Sequence, residues 1–171
     1  MPRPSGHADN IQPAADTMRP HRWSNAVHSR LLPLAQSYQR SGPAVLRVSV
    51  GIVFCWFGFL KFFPGASAAE NIAVKAVAEL TLGLIPDGLC LPLLALLETA
   101  IGLCLVTGRL LRIALAAFFC HMAGVFTSLT LLAGDMWHAY GLVPTLEGQY
   151  VIKNIVLFAA GLFIAADDLT R

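Results

Sequence analysis

One stretch constrains this chain more than any other: LCLPLLALLETAIGLCLVT, from Leu89 to Thr107. The hydrocarbon layer of a bilayer is about 30 Å thick, and about 20 helical residues rising about 1.5 Å each will cross it. The stretch has that length and carries one charged residue, Glu98, near its middle. An ionisable side chain at that depth is disfavoured by roughly 2.5 to 3.5 kcal/mol on insertion scales. Glu98 is therefore expected to face protein or water, with a partner, and not lipid.

The rest of the chain agrees with a membrane setting. Of its 171 residues 56% are hydrophobic and only 13% are charged, where a soluble domain carries about 25% charge. The formal net charge of +2 is too small to imply a nucleic-acid partner. Cys55, Cys90, Cys104 and Cys120 form no CxxC or other short-spaced metal or redox motif, so no metal is expected. Three of them lie inside apolar segments, where a cysteine serves as a small packing residue. Cys90 lies nearer a membrane surface and reads as the one to test for reactivity.

Residues 1–43 are polar, with Arg3, Arg19, Arg22, Arg30 and Arg40 against Asp9 and Asp16. No apolar run marks a cleaved secretory signal, and the Pro- and Ala-rich beginning predicts disorder. Trp23, Val27, Leu31, Leu34 and Tyr38 recur at helical spacing, which predicts a short amphipathic helix on the membrane surface, interrupted at Pro33. An organelle transit peptide is the other reading of such an Arg-bearing start.

Four spans are expected over residues 44–63, 89–107, 111–133 and 150–166, making residues 44–171 the membrane domain. Pro64 and Gly65 end the first. Arg47, Gly51, Cys55, Gly58 and Lys61 share one helical face of that span, and Ala114, Ala117, His121, Gly124 and Ser128 share one face of the third. Small residues let helices approach closely in lipid, which nominates Gly51, Gly58, Gly102 and Gly124 as packing positions. Within residues 66–87 the stripe Ala73, Val77, Leu80 and Leu84 predicts a short interfacial helix. Residues 134–149 form a polar loop whose Trp137 and Tyr140 suit an interface. The fold expected is all-α: an antiparallel bundle of four transmembrane helices, with a short interfacial helix and a partly disordered N-terminal extension.

Four spans put both termini on one side. That side carries the five N-terminal arginines with Arg47, Arg109, Arg112 and Arg171, and the other carries Lys61, Lys75 and Lys153. The positive-inside rule then places both termini in the cytoplasm.

The polar residues inside these spans form a constellation. Glu98 lies ten residues before Gly108 and His121 ten after Leu111, on either side of a tight basic turn, so they sit at about the same depth. They are expected to meet, either as an ion pair with protonated His121 or as a hydrogen bond from an uncharged carboxyl. Lys61 and Lys153, with Asn154 beside the latter, lie just inside the outer surface. A shared acidic partner, an anionic ligand and simple snorkelling to water all explain them. Glu98 is roughly two turns deeper, so contact would require a lysine to reach down. A structural clamp and a proton- or ligand-handling site both remain open for Glu98. No Walker loop, Rossmann fingerprint, HExxH or Ser-His-Asp order is present, and the chain is expected to lack catalytic activity of its own.

LRVSVGIVFCWFGFLKFFP (Leu46 to Pro64), ETAIGLCLVTG (Glu98 to Gly108) and GQYVIKNIVLFAAG (Gly148 to Gly161) occur in this order, the last followed by Ala-Asp-Asp. Together they resemble the spans of DoxX-like integral membrane proteins, and among them the YkgB/RclC-like branch. The matching positions are Arg47, Trp56, Gly58, Lys61, Pro64, Glu98, Lys153 and Asn154. The resemblance implies a four-helix protein of the bacterial inner membrane, an accessory or partner subunit in redox or oxidative-stress physiology, including reactive-chlorine and thiol stress. Its partners would be the lipid bilayer and a soluble or membrane redox protein, with a homo-oligomer left open. No cofactor is evident from the residues, though a quinone fits the class. Two alternatives stand beside this reading: a small proton-linked carrier or permease using Glu98 and His121, and a quinone-binding oxidoreductase subunit.

Overall fold

A computed structural model describes residues 22–63, 65–67, 70–139 and 141–170, with side chains from residue 30 onward except Leu34. The disorder expected near the start, the side chains of Trp23, Val27 and Leu34, and Pro64 and Tyr140 lie outside the described residues. The chain divides into two compact units, Met1–Tyr38 and Gln39–Arg171. Apart from the part of α1 before Gln39, the features below belong to the second.

The elements are α1 (Arg22–Leu60), α2 (Glu70–Leu80), α3 (Asp87–Thr107), α4 (Leu111–Leu131), α5 (Ala133–Met136), α6 (Leu146–Ile152) and α7 (Asn154–Thr170). Among the described residues there is no strand, only an isolated antiparallel bridge between Trp137 and Pro144 in the loop before α6. Among the described residues four segments are long and apolar enough to cross a membrane: Arg30–Leu60, Asp87–Thr107, Leu111–Leu131 and Leu146–Thr170. The protein is an all-α bundle.

Two elements differ in detail from the sequence reading. The expected amphipathic helix and first span are one helix in α1, with Pro33 and Pro43 inside it. The fourth span is α6 and α7, joined through Lys153, which stays right-handed at φ −57° and ψ −22°. There the Val156 amide donates to the Lys153 carbonyl, only three residues back, at 3.2 Å. α1 ends in the same way, with the Lys61 amide donating to the Gly58 carbonyl at 3.1 Å. Both outer lysines thus sit where α-helical winding tightens to three-residue turns.

α1 and α3 cross where neither has a side chain. A Cβ on Gly102 would lie 2.5 Å from the Cys55 nitrogen and 2.6 Å from the Gly51 carbonyl oxygen, and one on Gly58 would lie 2.7 Å from Thr99. Gly124 instead faces α2, with Leu80 3.3 Å from its Cβ position. Gly161 of α7, which the sequence reading passed over, lies against the Phe118 ring. α3 and α4 are antiparallel neighbours because the turn between them is short. Gly108 (φ 71°) and Leu110 (φ 53°) are both left-handed, and the Gly108 amide donates back to the Cys104 carbonyl at 2.9 Å. Arg47 of α1 caps this end of α3, donating to the carbonyls of Leu105 and Val106. A cation at a helix C-terminus also meets the negative end of its dipole.

The core holds Val50 and Phe54 from α1, Ile101 and Leu105 from α3, Leu115, Phe118 and Met122 from α4, and Ile164 from α7. The Phe54 and Phe118 rings meet at 5.1 Å. α2, too short to span, packs on α3 and α4 and ends in a left-handed pair, Leu82 (φ 52°) and Gly83 (φ 73°). Leu84, counted in the expected stripe, falls after the helix and is exposed.

Candidate functional site

Glu98 projects from the middle of α3 with its side chain only 9% exposed, and a lysine and a histidine converge on it. Lys61 Nζ lies 2.6 Å from Glu98 Oε2, and His121 Nε2 lies 3.3 Å from Oε1. Each carboxylate oxygen therefore has its own nitrogen neighbour, from α1's end and from α4. Lys61 also donates to the Phe57 carbonyl at 3.4 Å, and the His121 ring stands edge-on to Phe54 at 5.8 Å. The structure brings Glu98 and His121 together at the depth their spacing from the turn indicates. It also brings Lys61 down to the acid, a contact the estimated difference in depth weighed against. The lysine reaches it because α1 ends in a three-residue turn from Gly58 to Lys61 and because the four-carbon stem is long.

Lys153 takes a different partner. Its ammonium lies 3.1 Å from the centre of the Tyr150 ring and 5.2 Å from that of Phe57, and those two rings meet edge to face at 6.2 Å. Among the described residues no carboxylate lies within ion-pair distance of it. Sequence reasoning did not connect Phe57 and Tyr150 with this lysine. The available signal was an aromatic residue three positions before it on the same helix face.

These groups share one space. A cavity of about 600 Å³ opens between α1, α2, α3, α4 and the α6–α7 joint, and Lys61, Glu98, His121, Lys153 and Asn154 all line it. Most of the remaining wall is aliphatic, with Ile72, Ala76, Val77 and Leu80 from α2 facing Leu94 and Leu97 of α3. Among the four glycines nominated for packing, only Gly124 reaches this space. Cys120 also lines it and is exposed, whereas Cys90 is fully buried, its thiol turned to the Pro86 carbonyl at 3.5 Å. Cys90, singled out by its place near a membrane surface, is thus the buried one of the two. One buried hydroxyl, Thr99 Oγ1, has no hydrogen-bond partner among the described residues; it lies beside Gly58 at the helix crossing. No group of three or more metal-ligating side chains occurs among the described residues.

Residues 42–131, just over half of the chain, match the model of the DoxX family. The chain belongs to the DoxX family. The match covers α1 from Gly42, α2, α3 and α4, and so includes Lys61, Glu98 and His121. Lys153 and Asn154 lie beyond it, in the part of this DoxX-family chain that closes the cavity. No curated protein and no solved structure gives a significant match to the chain. A multi-pass membrane protein follows from the family and the four apolar segments together.

Proposed function

We propose that this DoxX-family protein is an accessory membrane subunit whose own task is to hold one lipid-soluble small molecule in its bundle cavity, on behalf of a redox or oxidative-stress partner. The observation that carries the ligand-holding role is the cavity itself. Its volume, about 600 Å³, lies within the roughly 300 to 1,000 Å³ of known small-molecule sites. Its walls are mostly aliphatic, and its lining includes the charged or titratable side chains Lys61, Glu98, His121 and Lys153. That is the profile of a site for an amphiphile with an apolar body and a polar head. The redox setting, and a place in the YkgB/RclC-like branch, rest on the resemblance of the three quoted motifs. The bacterial inner membrane with both termini cytoplasmic is supported by the arginines at one end of the bundle and the lysines at the other.

The test is extraction of the protein from native membranes in a mild neutral detergent, with mass spectrometry of the organic extract. About one lipophilic molecule per chain is expected, and it should be lost in Ala76→Phe, which fills the cavity from α2. An extract indistinguishable from that of Ala76→Phe overturns the reading.

A second reading, a quinone-binding oxidoreductase subunit, is favoured by Lys61, which lines the same space and carries one N–H beyond its bonds to Glu98 and Phe57. Recovery of a quinone in the extract would select it. A proton-linked carrier would instead show flux in proteoliposomes that disappears in Glu98→Gln.

A further inference from the structure

The charged groups on the cavity wall differ in what they have left to offer a ligand. Both oxygens of Glu98 are occupied, one by Lys61 and one by His121. Lys61 gives a second of its three N–H donors to the Phe57 carbonyl at 3.4 Å. These groups are mostly committed to one another. Lys153 and Asn154 are not. The ammonium of Lys153 touches only ring faces, which contact its charge without accepting its N–H groups in full. The Asn154 carboxamide faces the cavity with no hydrogen-bond partner among the described residues. With Glu98 balanced by Lys61, Lys153 leaves the cavity with an excess positive charge on one wall.

The Tyr150 and Phe57 rings also fix where that charge sits. A lysine at a membrane surface ordinarily extends its stem toward water. Here the ammonium of the exposed Lys153 stays over the Tyr150 ring, and both residues line the cavity together with aliphatic side chains of α2 and α3. The three-residue turn at Lys153 places Asn154 next to it in sequence and on the same cavity.

We infer that the molecule held in this cavity is a single-chain amphiphile with an anionic head, a carboxylate or phosphate monoester, whose charge is read by Lys153 and Asn154 and whose chain lies between α2 and α3. The inference rests on the ligand-holding role above and specifies its class. A volume of about 600 Å³ suits one chain with a small head and is too small for a two-chain phospholipid. An anion beside Lys153 gains a charge-assisted hydrogen bond, whereas a neutral hydroxyl of the same chain gains an ordinary one.

The experiment is native mass spectrometry of the full chain in neutral detergent, titrated with oleic acid, oleyl phosphate and oleyl alcohol. One adduct per chain is expected for the two anions, with the alcohol weaker by about ten-fold, the difference between a charge-assisted hydrogen bond and an ordinary one. Lys153→Gln should bring the three ligands to within about three-fold of one another, while Lys153→Arg keeps the preference. Ala76→Phe should abolish all three. Equal binding of acid and alcohol to the wild type, unchanged in Lys153→Gln, overturns the anionic class and leaves the cavity as a binding site. Failure of all three ligands, or multiple adducts that Ala76→Phe does not reduce, overturns both. A preference retained in Lys153→Gln but lost in Lys61→Met moves the reading of the head to the inner cluster and overturns the assignment to Lys153.

Discussion

Replacing Lys61 with methionine keeps the length of the stem and deletes the ammonium, so Glu98 is left with His121 alone. At the observed 2.6 Å and an effective dielectric of about 20, the Coulomb attraction of the pair is about 6 kcal/mol. Desolvating the two ions costs several kcal/mol each, so the intact cluster contributes little net stability. Half of it is another matter, because an unpaired charge then stays in a site where the side chain is 9% exposed. Breaking a buried pair in this way costs about 3 to 5 kcal/mol. Lys61→Met and Glu98→Gln should each destabilise the bundle by about 3 kcal/mol, and the double variant should fall short of the sum by about 2 kcal/mol or more. The assay is a double-mutant cycle of reversible unfolding in bicelles. Neutral interhelical hydrogen bonds in lipid couple by only about 0.6 kcal/mol. A coupling at or below that value would refute a buried ion pair at this position.

Three further outcomes follow from the same geometry. Gly102→Val should force α1 from α3 and cost about 3 kcal/mol, since its Cβ would sit 2.5 Å from the Cys55 nitrogen, whereas Gly88→Ala, in open space, should be near neutral; the check is unfolding in the same bicelles. Arg47→Met should cost about 1 to 2 kcal/mol through the uncapped end of α3, with Arg47→Lys recovering only part because an ammonium lacks the planar fork. In detergent, a small permeant maleimide should modify Cys120 and spare fully buried Cys90; peptide mapping reads this out, and prior labelling of Cys90 in a folded sample would count against the burial of the first turn of α3.

How much of this was legible in the chain depends on connection length. Glu98 and His121 could be matched by counting because a tight turn at Gly108–Leu110 joins their helices, and equal steps from it keep equal depth at about 1.5 Å per residue. Lys61 could not be matched in the same way. The connection between α1 and α3 contains a helix of its own, so no register carries across it, and a lysine stem adds a reach that counting ignores. The break at Lys153 was equally hidden, since the apolar run from Tyr150 carries on past it with no glycine or proline before Gly161. The glycine positions on α1 were readable as a face, but which helix each would meet was not, and Gly124 meets α2 instead of another span. The cavity had no sequence signature at all, because a void is set by which side chains fail to fill the space between five elements.

The charged cluster draws one residue from each of three spans, and this bears on how the protein is made. Lys61 leaves the ribosome 37 residues before Glu98, and His121 comes later still. Until the second span arrives, the lysine has no acid to neutralise it and is best placed with its head among the lipid phosphates. It can descend only once the acid has been delivered, and the imidazole completes the set only after the third span is threaded. Closure of the three-way contact is thus a built-in mark that insertion of the first three spans is finished, and a chain stalled before that point would present a lone buried charge to membrane quality control.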